Sequence, residues 1–221
     1  MDSSFYELDG VRYDRVTRIL DFFATPGLVN WKVRVGKREA GRISREALKI
    51  GSKLHESVEA GKLVKRVTID VKNCWEAYQK WLEEYQPVVE ARETTLYDAE
   101  LMVAGTPDLV TKEAVVDFKT SREIRPNYWL QAAMYAKMAG KGQLAVLRLD
   151  KNLAIFDYQV REQNERYVRA FTGLLEAYRY YCTEGETDDR EDRSSTTHEE
   201  IHDRQEVAEP EVPHAWPVRH W

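Results

Sequence analysis

Hydrophobic and polar residues along this chain follow two periods, one typical of helices and one typical of strands. Apolar residues recur at helical spacing in "YDRVTRILDFFA", from Ile43 to Val58, and in "VKNCWEAYQKWLEEYQ". Shorter β-prone runs follow in "VVEARETTLY", "ELMVAG" and "GTPDLVTKEAVVDFKTS". The pattern then predicts a helix that begins at Pro126 and ends at Gly140, a hairpin of two strands, and a last helix from about Gln163 to Tyr181.

This order of elements predicts the fold class. Helices come first, then a strand meander, a helix, two strands and a helix, which is typical of an α/β or α+β protein with a mixed central sheet flanked by helices. The first helix is expected to begin around Tyr13, Pro26-Gly27 should end it, and a second helix should begin near Leu28.

Composition narrows the class of protein. The chain has 221 residues, 43% of them hydrophobic and 11% aromatic, which is enough for one domain with a core. No apolar run approaches the length of a membrane span, so we expect no membrane partner and a cytoplasmic location. Cys74 and Cys182 are too few for a four-cysteine iron–sulfur cluster, and none is expected.

Charge divides the chain at about residue 183. The net charge is −5, but the segment 183–221 is rich in Asp and Glu and we predict that it is a disordered tail, so that the domain spans 1–182. The domain without its tail is therefore basic. Lysines and arginines are frequent from Lys32 to Lys53, where they can contact a phosphate backbone or form an ordinary solvated helix face.

Three charged residues stand inside the most strand-like part of the chain. Asp108, Asp117 and Lys119 belong to a predicted hairpin that is otherwise apolar, where unpaired charges are costly. Two nearby carboxylates repel each other, and a divalent cation such as Mg²⁺, or Mn²⁺ in its place, removes the repulsion. Lys119 shares a strand face with Asp117 and can hold a water molecule that attacks a substrate phosphate beside the metal. A surface hairpin with an Asp–Lys salt bridge is the structural alternative.

These motifs carry a resemblance. "GTPDLV", "VVDFKTS" and "YWLQAAMYA" resemble the PD-(D/E)XK nuclease superfamily, in particular its RecB-like and phage-type exonuclease branch. The order of elements from Tyr13 to Tyr181 is also similar, and "IGSKLHESVE" resembles the helix that carries an additional histidine in that branch. The resemblance implies a restriction-endonuclease-like core and a metal-dependent DNA nuclease.

The resemblance also implies roles for individual residues. It implies Asp108, Asp117 and Lys119 as the catalytic residues. It implies metal ligands at His55, Asp108, Asp117 and Phe118, and it places Gln131 and Tyr135 beside the site, where they would orient substrate or the lysine. Thr120 and Ser121 can cap the end of the strand or contact a phosphate of the substrate. Glu93 resembles a further acidic position of this branch, and Glu59, which follows Gly51 and His55 at helical spacing, is another candidate.

The expected activity is that of an exonuclease acting on DNA in recombination, repair or replication. A structure-specific endonuclease and a catalytically silent nucleic-acid-binding module stay open as alternatives. Since the chain has no P-loop, unwinding must come from another protein, and the candidate partners are a helicase, a recombinase or an annealing protein. A homo-oligomer is a further candidate assembly. The expected location is the cytoplasm of a prokaryotic or phage-infected cell.

Overall fold

A computed structural model describes residues 5–23 and 26–194 of the chain. Six helices are described: α1 (Val16–Phe22), α2 (Pro26–Val35), α3 (Lys37–Glu59), α4 (Ile69–Tyr85), α5 (Pro126–Ala139) and α6 (Glu165–Ser194). Nine strands are described: β1 (Phe5–Leu8), β2 (Val11–Arg15), β3 (Val89–Arg92), β4 (Leu96–Asp98), β5 (Val103–Gly105), β6 (Leu109–Thr111), β7 (Ala114–Lys119), β8 (Gln143–Leu149) and β9 (Phe156–Glu162).

The strands form two sheets. The larger sheet has the order β3-β6-β7-β8-β9, and it is mixed because β7 and β8 are parallel while its other pairs are antiparallel. The smaller sheet has the order β1-β2-β5-β4, with β2 and β5 parallel. The predicted fold class, a mixed sheet flanked by helices, is confirmed, although the sequence did not predict a second sheet.

Helices cover both faces of the five-stranded sheet. Strand β7 shows the division, since its successive side chains point to opposite faces. Val116 and Phe118 pack with residues of α3 and α4, whereas Val115 packs with residues of α1, α5 and α6. Strand β7 is therefore apolar on both faces except at Asp117 and Lys119, which pair with each other.

The amino-terminal prediction was wrong in part. Residues Tyr13–Arg15 were expected in the first helix, but they belong to β2, which pairs with β1 and with β5. The helix begins only at Val16, and Pro26 begins α2 instead of merely ending α1. The apolar spacing of Val16, Ile19 and Leu20 was recognised, while the preceding strand was taken for the start of the same helix.

Contacts within the chain divide it into two compact units, Met1–Cys182 and Thr183–Trp221. Both sheets belong to the first unit. Helix α6 ends at Ser194 and not near Tyr181, where the sequence predicted its end. Residues 195–221, most of the predicted acidic tail, lie outside the described residues.

Candidate metal centre

Three side chains from distant parts of the chain converge where strands β3 and β6 of the five-stranded sheet meet. His55 lies on α3, Glu93 follows β3, and Asp108 precedes β6. The Nδ1 atom of His55 lies 2.9 Å from Oε1 of Glu93 and 3.0 Å from Oδ1 of Asp108. One ligand atom from each of the three residues lies within 4.8 Å of the others, so the group can hold a metal ion.

The main chain keeps the two carboxylates beside each other. The backbone N–H of Glu93 donates to the carbonyl oxygen of Asp108 at 3.3 Å. Glu93 itself has a φ of 45°, in the left-handed region that non-glycine residues rarely adopt. Backbone strain of this kind is frequent at functional sites, where surrounding structure compensates for it.

Asp108 is tied to the neighbouring strand by its second oxygen. Its Oδ2 atom accepts a hydrogen bond from the backbone N–H of Phe118, which leaves Oδ1 directed toward His55. The Phe118 ring is buried, with its centroid 5.5 Å from that of Tyr78 and 6.4 Å from that of His55. Among the atoms of Phe118, only the backbone carbonyl oxygen is therefore suited to bind a metal.

A second polar group lies toward α5, on the face of β7 opposite to the Phe118 ring. Asp117 is 1% exposed, and its Oδ2 lies 2.6 Å from Nζ of Lys119. Gln131 on α5 links the pair, because its Nε2 donates to Asp117 Oδ1 at 2.9 Å and its Oε1 accepts from Lys119 Nζ at 3.1 Å. The same Nε2 lies 3.3 Å from the hydroxyl of Tyr135, one helical turn further on.

Gly105 of the "GTPD" motif lies where there is no room for a side chain. A Cβ atom at Gly105 would lie 2.3 Å from Cε1 of Tyr135, far inside van der Waals contact. The ring of Tyr135 is buried and packs directly on the backbone of β5. Gly105 thus permits the close approach of the Tyr135 ring to β5, while Tyr135 lies beside Gln131 because the two are four residues apart on α5.

Electrostatics of the site follow from burial and from the concentration of carboxylates. Burial disfavours the charged His55 ring, but its hydrogen bonds to Asp108 and Glu93 outweigh this and raise its pKa to about 10. Burial and the charge of Asp108 raise the pKa of Asp117 to about 6, against the opposing effect of Lys119. Although burial opposes it, the attraction of Asp117 and Asp108 raises the pKa of Lys119, which stays an ammonium ion at neutral pH.

The donor set fits a divalent cation. Carboxylate oxygens suit Mg²⁺ and Mn²⁺, and an imidazole nitrogen beside them favours the softer Mn²⁺. Within the described part of the chain, Asp117 Oδ2 accepts no well-aligned hydrogen bond despite its short distance to Lys119, so it keeps electron pairs for a ligand. In the protein alone, the protonated His55 ring supplies the positive charge that a cation would supply.

The remaining predicted residues lie around this group. Thr120 and Ser121 follow β7 and are half-buried, and the Ser121 hydroxyl donates to the carbonyl of Glu123 at 2.8 Å. Glu59 is exposed in the last turn of α3, one turn beyond His55. Their assigned roles in substrate or metal binding stay predictions.

Sequence reasoning missed the contribution of the amino-terminal strands. The hydroxyl of Tyr6 on β1 lies 3.0 Å from Oγ1 of Thr106, which is two residues before Asp108. Thr106 is in turn 3.1 Å from Oγ1 of Thr95. The "GTPD" motif identified the position of Thr106, but nothing in the sequence indicated which tyrosine would meet it.

The comparisons with known proteins concern the fold. No protein-family model matches the sequence, and no curated protein does. The crystal structure of an alkaline exonuclease (LHK-Exo) from Laribacter hongkongensis is similar, with a TM-score of 0.50 and 10% sequence identity, and the match covers 83% of this chain and 93% of the exonuclease. LHK-Exo in complex with dAMP gives a TM-score of 0.47 and 13% identity over 82% of this chain and 92% of that one.

At such low identity, the likeness shows that this chain shares the fold of a nuclease. This agrees with the superfamily that the "GTPD" and "VVDFKTS" motifs resemble. Among the helices that the structure describes, none is both long enough and apolar enough to cross a membrane.

Proposed function

We propose that this chain is a metal-dependent DNA nuclease, an exonuclease that hydrolyses phosphodiester bonds in recombination, repair or replication. The observation that carries the proposal is the meeting of His55, Glu93 and Asp108 beside the buried pair of Asp117 and Lys119. A structural salt bridge needs neither three carboxylates nor a histidine. Metal-binding carboxylates and a nearby cation are the groups that phosphoryl transfer requires, because negative charge on the phosphate has to be neutralised.

Four residues are proposed to hold Mg²⁺ or Mn²⁺, namely His55, Glu93, Asp108 and Asp117, with the carbonyl of Phe118 as a further candidate ligand. A divalent ion bound here would polarise the scissile phosphate and make water a stronger nucleophile. The carboxylates are held ready for this by hydrogen bonds from the protein, to Asp108 from the Phe118 backbone and to Asp117 from Gln131.

Lys119 is proposed to act on the water and the phosphate as a cation. Because its pKa is raised, it is protonated at neutral pH and donates hydrogen bonds, so it is not the base that removes a proton. Gln131 accepts one of those hydrogen bonds at 3.1 Å and fixes the direction of the ammonium group. The lysine can then place the attacking water and stabilise charge that develops on the phosphate oxygens.

Substrate contacts are proposed on both sides of the site. Thr120 and Ser121 follow Lys119 directly and carry hydroxyls that can donate to phosphate oxygens, while Tyr135 supports Gln131 from α5. Exposed cations along α2 and α3, including Arg34, Lys37 and Arg45, extend from the helix that carries His55. A basic surface on the helix that carries His55 and on the helix before it suits a DNA backbone.

A digestion assay tests the proposal. End-labelled linear DNA and covalently closed circular DNA are incubated with the full chain in Mg²⁺, in Mn²⁺ or in EDTA. We expect linear DNA to be shortened from its ends in either metal, with no reaction in EDTA and an intact circle. Cleavage of the circle at a similar rate would instead indicate an endonuclease, and the absence of metal-dependent cleavage from every substrate would contradict the assignment.

A further inference from the structure

The four-stranded sheet presents a tyrosine-rich face next to the proposed metal centre. Residues directly opposite each other on paired strands share a face, and so do alternate residues of one strand. Tyr6 is opposite Tyr13, Arg15 is opposite Ala104, and Ala104 is opposite Tyr97. Tyr6, Tyr13, Arg15 and Tyr97 therefore lie on one side of this sheet, which we call the tyrosine face.

The other side of the same sheet is turned toward helices. Asp98, next to Tyr97 in β4, forms an ion pair with Lys137 on α5. Asp14, between Tyr13 and Arg15 in β2, lies 2.9 Å from Arg179 on α6. The tyrosine face thus points away from α5 and α6.

Exposure distinguishes this face from a buried core. The ring of Tyr97 lies 5.1 Å from that of Tyr13 and covers it, so Tyr13 is buried while Tyr97 is 53% exposed. Val11, on the same side of β2, is 40% exposed. Large aromatic surface left in water beside a functional site is often a binding surface.

Hydroxyl groups connect the tyrosine face to the metal centre. Tyr6 contacts Thr106, and Thr106 contacts Thr95, at 3.0 and 3.1 Å between oxygens. Thr106 is two residues from Asp108 and Thr95 is two residues from Glu93, so both threonines lie close to the centre along the chain. A chain that leaves the centre in this direction passes onto the tyrosine face.

The charge of the tyrosine face suits a polyanion. The acidic residues in the described strands of this sheet, Glu7, Asp14 and Asp98, all lie on the opposite side. The guanidinium of Arg15 lies 4.2 Å above the ring of Tyr6, and its buried Nε has no hydrogen-bond partner among the described residues. The face therefore offers the exposed ring of Tyr97, tyrosine hydroxyls and one cation.

We propose that the tyrosine face binds single-stranded nucleic acid, holding the nucleotides next to the scissile phosphate with a base stacked on Tyr97. This inference rests on the proposed nuclease function and specifies its substrate at the site. Bases of a duplex are stacked on each other, so an aromatic ring can take up only a base that is unpaired. Hydroxyls and Arg15 would contact the backbone of the same strand.

Binding of a short single-stranded oligonucleotide tests the proposal. Affinity is measured by fluorescence anisotropy in Ca²⁺, with a gel to verify that the DNA stays intact, for the full chain and for Tyr97→Ala. Loss of one stacked base should weaken binding about 5- to 150-fold. Tyr97→Trp, which keeps an aromatic surface, should bind about as tightly as the unmodified chain, and Tyr85→Ala, which removes a tyrosine 47% exposed on α4, should not weaken binding.

An oligonucleotide with abasic sites near its end shows whether stacking is the cause. Since it offers no base to stack, Tyr97→Ala should weaken its binding little or not at all. Equal weakening for abasic DNA, for normal single strands and for a blunt duplex would overturn the proposal, as would unchanged affinity of Tyr97→Ala for single strands.

The outcome separates this inference from the proposed function. Metal-dependent cleavage by the unmodified chain, together with unchanged single-strand binding by Tyr97→Ala, refutes the tyrosine face alone. Binding of single strands that depends on Tyr97, without cleavage in Mg²⁺ or Mn²⁺, refutes the nuclease assignment while the binding surface stands.

Discussion

Replacing Asp117 with Asn should abolish cleavage and at the same time stabilise the metal-free protein. The substitution keeps the size of the side chain and an oxygen that can accept the hydrogen bond from Gln131. It removes a negative charge that is 1% exposed and that is repelled by Asp108. Residues that serve function at a cost to stability show this combination of effects.

The magnitude follows from the pKa of Asp117. The value of about 6 in the folded protein exceeds the ordinary value of 3.8 by about two units, which corresponds to about 3 kcal/mol. Because the folded state holds this proton more tightly, stability is unaffected by the group below about pH 4 and falls as the pH rises toward 6. Above about pH 7 the ionised carboxylate destabilises the metal-free protein by the full amount.

Asn cannot ionise, so the variant does not lose this stability as the pH rises. Part of the gain is offset because Lys119 loses Asp117 as a charged partner, but Lys119 keeps the attraction of Asp108. The expected stabilisation at pH 8 is therefore about 1 to 2 kcal/mol. For a domain of this size, that is roughly 2 to 8 °C in melting temperature. Cleavage should fall by about 100-fold or more, since one ligand charge and one electrostatic contact to the reacting group are lost.

Thermal unfolding and DNA cleavage are measured on the same preparations. Melting temperatures of both chains are compared in EDTA between pH 4 and pH 8, where their difference should grow with pH. Addition of Mn²⁺ should raise the melting temperature of the unmodified chain more than that of Asp117→Asn, because binding to the folded state stabilises it.

Asp70→Asn is the matched control, since Asp70 also precedes a lysine by two residues but lies in the first turn of α4. A carboxylate there is favourable to the helix, so this variant should lose a few tenths of a kcal/mol and cleave DNA normally. Retained cleavage by Asp117→Asn, or a melting temperature below that of the unmodified chain at pH 8 in EDTA, would contradict the role assigned to Asp117.

Three further substitutions test other parts of the site. Lys119→Ala should abolish cleavage and destabilise the protein by about 3 kcal/mol in denaturant unfolding, because it leaves Asp117 buried without a counter-charge; cleavage by the pure variant would exclude the lysine from the chemistry. His55→Ala should weaken Mn²⁺ more than Mg²⁺ in calorimetric titrations, since an imidazole favours the softer ion, whereas normal activity at limiting metal would show a structural histidine. Gly105→Ala should cost about 1 to 3 kcal/mol, because its Cβ would lie 2.3 Å from Tyr135 Cε1; an unchanged unfolding midpoint would mean that the ring moves aside freely.

Much of the five-stranded sheet was predictable because its signals are local. The hairpin of β6 and β7 is bounded by Gly105 and by a short polar turn, and α5 begins at Pro126 and ends before Gly140, which adopts a left-handed conformation. Within such a hairpin the neighbouring strands bring Asp108 and Asp117 together by their spacing alone. The pairing of Asp117 with Lys119 follows from strand alternation in the same way.

Features that depend on distant parts of the chain were not predictable. Strand β2 pairs with β5, whose residues lie about 90 positions later, and nothing near Tyr13 distinguishes that strand from the beginning of a helix. The contact of Glu93 with His55 requires the pairing of β3 with β6 and a φ of 45° at Glu93 itself. The resemblance suggested Glu93, but the geometry that makes it a neighbour of Asp108 appears only in three dimensions.

The register of β6 against β7 is the feature on which the whole site depends. Asp117 and Lys119 face α5, where Gln131 meets both, while Phe118 between them faces the apolar core of α3 and α4. A slip of β7 by one residue would turn both charged side chains into that core and Phe118 toward Gln131. The hydrogen bond from the Phe118 backbone to Asp108 opposes such a slip, because it forms only in the observed register. The carboxylate proposed to bind the metal thereby also fixes the strand that carries the lysine, so that the charges in this buried hairpin specify its alignment as well as its chemistry.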